Sequence, residues 1–379
     1  MAVHKSAAQA AGFEEAPDSM KAPAMIAAGW LLLLSLSGCT FVPLGGESSA
    51  GSPSAPTSAA AQTTEKTEPP TTKAPEMAEN PLTGVKDMEK GISTRPVGIM
   101  LGNDSRSRPQ CGIDRADWYF EAETEGGITR IMAVFASTAR VPDKLGPVRS
   151  ARTPFVLLAQ SLDLIYAHAG GSKAALAALG ERDLADVNAL RYDGSLFWRD
   201  KALRSERGYE YSLVTSGKNL TAIAKQQNFR TSSKAGLPFR YDRGLTSGSA
   251  ATELQCRVSR GQTVNFKYYP DEGLYYKRNG TLSNPKTHAS LSGVQLSAAN
   301  VVVLFDRRYA ENKTTIGFDL TEGDGKLFTG GRMRDIRWKR TADALRLYET
   351  DGTDAGVARG KTYFLLVDRD LRSDTFGRG

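Results

Sequence analysis

One unbroken apolar stretch opens the chain's hydrophobic pattern. Met25 to Leu34 carries no polar residue, and only Ser35 and Ser37 interrupt it before Leu36-Ser37-Gly38-Cys39. About a dozen residues make a signal h-region but fall short of the roughly 20 that span a bilayer. Small residues ending in a cysteine are the pattern of a bacterial lipoprotein signal, so Cys39 is the expected lipidation site. Residues 1–38 would then be removed. Glu14, Glu15 and Asp18 stand where a basic n-region belongs, whereas Met20-Lys21 fits one, which predicts a true start at Met20.

From 39 to 95 the pattern loses nearly all large apolar residues and runs in Ser, Thr, Ala, Pro and Glu. Such a segment cannot offset its ordering entropy and is expected to be a disordered tether. Its reach is about 40 Å for roughly 50 residues.

Periodicity begins at Val97-Gly98-Ile99-Met100-Leu101, a buried strand. Trp118 to Glu125 alternates, with Tyr119, Glu121, Glu123 and Glu125 on one face and Trp118, Phe120 and Ala122 on the other. Gly126-Gly127 suits a two-residue turn, and Ile128 to Phe135 returns, placing Glu123 opposite Arg130 and Glu121 opposite Met132. Arg152 to Leu162 reads as a helix, Leu164 to His168 as a strand, and Ser172 to Leu179 as a helix capped by Ser172. Lys218 to Gln227 is a further helix. After Pro238 strands dominate: Thr252 to Ser259, Thr263 to Tyr269, Leu274 to Lys277, Asn300 to Phe305, Thr314 to Leu320, Arg332 to Lys339 and Thr362 to Val367. The fold class expected is α+β, an N-terminal α/β-type domain over 96–235 followed by a mainly antiparallel β domain over 250–372.

Composition narrows the chemistry. The chain has 379 residues, 40% hydrophobic content and a net charge of +7. Residues 1–38 hold two lysines and three acids, so without them 47 basic side chains face 39 acidic ones, a net +8. In an exported protein this favours anionic wall polymers and phospholipid headgroups over nucleic acid. After Cys39 only Cys111, Cys256, His168 and His288 remain, too few for a four-ligand zinc site. No cofactor and no metal are expected. Cys111 and Cys256 could form one disulfide or stay as two free buried thiols.

Arginines beside helix N–H groups make an anion site. Candidate binding residues are therefore Arg108 and Gln110, Arg130, the loop carrying Arg149, Ser150 and Arg152, and the passage His168, Gly170, Gly171 and Ser172. Glu121 and Glu125 are the candidate general acid and base if the chain is an enzyme. Tyr268, Tyr269, Tyr275 and Tyr276 could stack on sugars, though such tyrosines more often pack their own sheet.

These segments carry a resemblance. Arg108-Pro-Gln110, Gly112-Ile113, Ala116-Asp117, Glu121, Glu125-Gly-Gly-Ile-Thr-Arg130, Gly146-Pro-Val-Arg-Ser-Ala-Arg152 and His168-Ala-Gly-Gly-Ser172 resemble the YerB-like family of bacterial lipoproteins. The likeness continues more weakly through Asn300-Val-Val-Val303 and Ile336-Arg-Trp-Lys339. Phe120 stands where that pattern has tyrosine, Tyr209-Glu210 where it has His-Asn, and Ala289 where an acid follows the histidine. The resemblance implies a domain of unknown function with its paired C-terminal domain, exported and membrane-tethered; the Cys39 pattern implies a diacylglycerol anchor on the extracytoplasmic side of the cell membrane. It implies no reaction. The expected function is a binding or assembly module recognising an anionic wall component or a wall-synthesis partner. The alternative is a carboxylate-dependent glycan hydrolase or transferase.

Overall fold

The computed structural model describes residues 76–242 and 247–379. The signal peptide, the start at Met20, Cys39 and most of the tether lie outside the described residues.

Strand β1 (Val97–Gly102) is buried along its whole length. Antiparallel to it runs β3 (Ile128–Phe135), which returns from β2 (Trp118–Glu125) through the Gly126-Gly127 turn. Both turn glycines have positive φ, 59° and 79°, which a side chain would resist. Helix α1 (Thr153–Ser161) leads to β4 (Ile165–His168), parallel to β1. Helix α2 (Lys173–Gly180), capped by the Ser172 hydroxyl on the Ala175 N–H at 3.2 Å, leads to β5 (Ala185–Asn188), parallel to β4. Two further helices follow, α3 (Lys201–Arg207) and α4 (Gly217–Gln226).

The second half forms a smaller sheet and also extends the first sheet. Strands β6 (Glu253–Arg257), β7 (Thr263–Tyr269) and β8 (Leu274–Asn279) are the body of a six-stranded antiparallel sheet. Strands β9 (Asn300–Asp306), β10 (Glu322–Thr329), β11 (Arg332–Arg340), β12 (Leu345–Glu349) and β13 (Thr362–Asp368) join the main sheet instead. The join is a parallel pairing of β13 with β2, Thr362 opposite Trp118 through Leu366 opposite Ala122. One eleven-stranded sheet therefore runs through both expected domains.

Alternation on β2 sorts the core into two layers. Trp118, Phe120 and Ala122 pack with Phe155 and Leu158 of α1 and Ala175 of α2. Tyr119 faces the other side, with Leu220 and Ile223 of α4 and with Leu254, Val264, Phe266 and Tyr275 of the small sheet.

Three expectations need correction. The tether does not run to 95. Met77–Glu79 pairs with Lys86–Glu89, Leu82 and Met88 are buried, and the Leu82 carbonyl accepts from Trp118 Nε1 at 2.5 Å. Leu82, Met88 and Ile92 are few but enough to seat this stretch on the core. Second, the hairpin register is one residue off. A bulge at Thr124 sets Glu123 opposite Thr129, Glu121 opposite Ile131 and Ala122 opposite Arg130. Third, β10 is missing from the expected strands, since Gly323 and Gly325 interrupt any strand-like run of side chains. In place, a Cβ on either would lie 2.5 Å from a β9 carbonyl oxygen, that of Phe305 or Val303. The glycines are there to let β9 approach.

Candidate functional site

The bulge decides what the β2 carboxylates can do. A one-residue slip moves a side chain to the other face of a sheet. Glu121 stays with Ile131 on the Tyr119 face, whereas Glu125 lies with Ile128 and Arg130 on the Ala122 face. The expected acid–base pair is thus divided by the sheet.

Glu125 occupies the predicted anion site. Arg152 grips it with two bonds, Nε to Oε2 and Nη2 to Oε1, both 2.8 Å, and Arg130 Nη2 donates to Oε1. Arg130 also donates from Nη1 to the Ser150 carbonyl. Burial opposes the Glu125 charge, but the two guanidiniums outweigh it and hold the carboxyl below its usual range. Burial and the neighbouring Arg152 charge bring Arg130 down to about 10. Arg130 and Arg152 are therefore committed to the fold rather than offered to a ligand.

Glu121 anchors a buried network that crosses from one half of the chain to the other. Its Oε1 accepts from Asn103 Nδ2 at 2.9 Å and Thr129 Oγ1 at 2.7 Å; its Oε2 accepts from the Tyr363 hydroxyl at 2.6 Å. Lys277 Nζ is 3.4 Å from Oε2 and donates to Asn279 Oδ1 at 3.1 Å. His288 Nδ1 lies 2.9 Å from Lys277 Nζ, and Nε2 lies 3.0 Å from Gln110 Oε1. A lysine only donates, so Nδ1 accepts and Nε2 donates to Gln110. Burial lowers Lys277 to about 8, against the pull of Glu121. Burial, Lys277 and Arg108 push His288 well below its ordinary value, and burial with Glu121 pushes Tyr363 well above. Glu121, Lys277, His288, Tyr363 and Gln110 are all buried. Gln110 belongs to this network rather than to a ligand surface, and Arg108 turns its charge toward it.

The His168 passage is also structural. His168 is buried, with Nδ1 2.7 Å from the Gly170 carbonyl and Nε2 2.7 Å from Asp186 Oδ1. The Gly170 N–H donates to Asn188, the Ser172 N–H to the Ala151 carbonyl, and Gly171 bridges Ala151. These contacts lash the turn to neighbouring strands. Cys111 and Cys256 are buried free thiols. Cys111 packs with Leu203 and Val214, while burial lifts the Cys256 thiol to about 12; the two are not bonded to each other in this structure. Of the tyrosines on β7 and β8, Tyr275 is buried in the core and Tyr269 is exposed.

Of the expected arginines, Arg149 joins a cluster of arginines and tyrosines not singled out above. Its guanidinium lies 4.9 Å from the Tyr211 ring and donates to the Glu210 carbonyl at 2.9 Å. Arg106 stands 5.4 Å from the same ring. On Tyr209, which is 52% exposed, Arg199 lies 4.0 Å from the ring and Arg204 5.1 Å. Arg199 is partly neutralised by Asp193 at 2.8 Å, and Glu210 stands 3.7 Å from Arg149. Among the described residues no carboxylate pairs with Arg106 or Arg204. Four guanidiniums around two tyrosine rings form a surface for anions and flat groups. The sequence signal was Tyr209-Glu210-Tyr211 behind Arg199, Arg204 and Arg207, which reads locally as an ordinary polar segment.

This geometry belongs to a recognisable class: a two-part protein of unknown function. Residues 82–230 match the N-terminal domain, and residues 254–364 the C-terminal domain, of the protein family of unknown function DUF3048. The chain belongs to this family. It is 30% identical over 310 residues to the Bacillus subtilis (strain 168) protein named "Putative lipoprotein YerB", covering 79% of this chain and 89% of that one. A crystal structure of the YerB protein from Bacillus subtilis superimposes with a TM-score of 0.67 at 27% identity, covering 79% of this chain and 99% of the other. Among the described residues no helix is long and apolar enough to cross a membrane.

Proposed function

We propose that the chain is a lipid-anchored binding module on the outer side of the cytoplasmic membrane, gripping an anionic wall polymer or an envelope protein. The Arg106, Arg149, Arg199 and Arg204 cluster around Tyr209 and Tyr211 carries the reading, because four guanidiniums meet there and the exposed Arg106 and Arg204 pair with no carboxylate among the described residues. Cys39 supports the anchor as a sequence pattern, and the lipoprotein name of the relative agrees with it. The hydrolase reading loses its motive, since Glu121 is buried in a saturated network and Glu125 is clamped on the opposite face. The test is retention on purified cell wall. Arg106→Ala with Arg204→Ala should abolish retention with an unchanged melting temperature; full retention by that variant would refute the reading.

A further inference from the structure

A second surface lies next to the arginines and has a different chemistry. The turn Leu291-Ser292-Gly293-Val294 projects two aliphatic side chains, Leu291 45% and Val294 53% exposed. Gly293 has φ 84°, and its N–H donates to the Ser290 carbonyl while the Ser290 N–H donates to that of Val294. The turn is therefore a closed, fixed shape rather than a loose loop. It is held to the rest of the molecule by the Leu291 N–H on the Gln110 carbonyl at 2.8 Å. The same loop, 104–110, carries Arg106 and is fastened to α3 by Arg207 Nη1 on the Pro109 carbonyl at 2.8 Å, one helical turn beyond Arg204. Lys286, exposed, precedes the turn.

Two projecting aliphatic residues on a turn tied to the loop that carries Arg106 match an anionic bilayer, whose headgroups attract the charges and whose acyl boundary takes the carbon. The acids nearby include Asp104, whose Oδ1 accepts from the Arg106 and Ser107 N–H groups, Glu206, beside Arg207, and Glu210, 3.7 Å from Arg149. None of them forms an ion pair with Arg106, Arg204 or Lys286 among the described residues. A lipid on Cys39 would hold the body within reach of the surface, so a weak contact suffices. We infer that the Leu291–Val294 turn and its basic rim dock the folded body onto the anionic face of the membrane that anchors it. The inference needs the anchor but not the wall-binding reading.

The test uses the full lipidated chain in vesicles, with Val294→Cys carrying an environment-sensitive fluorophore; Cys111 and Cys256 are buried and should not compete for label. In vesicles containing phosphatidylglycerol the emission should move to the blue and be quenched by shallow spin-labelled lipid. In pure phosphatidylcholine, or at high salt, it should not. Arg106→Glu with Arg204→Glu should lower the docked-to-undocked ratio roughly tenfold or more. A label at Val85→Cys, exposed just before the Lys86–Glu89 strand, should stay in water throughout. An unshifted label at 294, or equal shifts at 294 and 85, would overturn the inference. So would protection of 294 that appears only on adding wall polymer or a protein.

Discussion

Glu121 and Lys277 stand 3.4 Å apart across the join between the two halves of the chain, and neither side chain has any solvent exposure. Removing one partner from such a pair strands the other charge in the core. Lys277→Met should therefore cost about 3–5 kcal/mol, measured by denaturant unfolding. Adding Glu121→Gln should recover part of that loss. If the double variant is no better than the single, the pair is not what holds the join.

The same lysine gives a pH dependence. In the unfolded chain it keeps its proton to about 10, whereas in the fold burial lets it go near about 8. Between those values the unfolded state binds more protons, so Lys277 makes stability rise with pH. Above that window the buried Tyr363, whose ionisation is pushed up by burial and Glu121, works in the opposite sense. Melting temperatures from pH 7.5 to 10 should show the rise in the wild type and a flatter profile in Lys277→Met, with the numbers of that window set by the lysine's two values.

Glu125 has the same sign in an acidic window. Two guanidiniums hold its carboxyl below the ordinary range despite burial. Its contribution is present above about pH 4 and is lost as pH falls through its folded value. Glu125→Gln should leave Arg130 and Arg152 facing each other and cost about 3 kcal/mol at neutral pH, with a shallower loss of melting temperature in acid.

Local patterns reached much of this architecture. Strand β7 has the bounds its alternation predicts, and Ser172 caps the helix it was expected to cap. Two things lay beyond local pattern. The bulge at Thr124 inserts one residue that nothing in Glu123-Thr124-Glu125 marks, yet it moves Glu125 to the other face. The parallel pairing of β2 with β13 joins residues far apart in sequence, so no window of the chain contains it. Two of the expected anion-binding arginines, Arg130 and Arg152, were recognisable as an anion site, but not that the anion would be the chain's own Glu125. Arg106, Arg199 and Arg204 were missed for the converse reason: arginine near tyrosine is common on any soluble surface.

Gly325 tests whether β10 is a strand by packing or by sequence preference. A Cβ there would sit 2.5 Å from the Val303 carbonyl oxygen, a backbone atom that cannot turn away. Gly325→Ala should destabilise by about 1–3 kcal/mol, where an exposed turn glycine such as Gly352, with nothing near its Cβ, meets no such contact.

The two cysteines offer a chemical check on the packing. Cys111 sits against Leu203 and Val214, whereas Cys256 lies on β6 and receives the Thr375 hydroxyl at 3.4 Å. Burial raises both thiols, Cys256 to about 12, and so leaves little thiolate to react at neutral pH. The native protein should resist a thiol reagent for as long as it stays folded. Unfolding without reductant should release two reactive thiols per chain, Cys39 aside. A protein that yields none would have formed the bond instead, and Cys111 would then have to leave its contact with Leu203 and Val214 to reach β6.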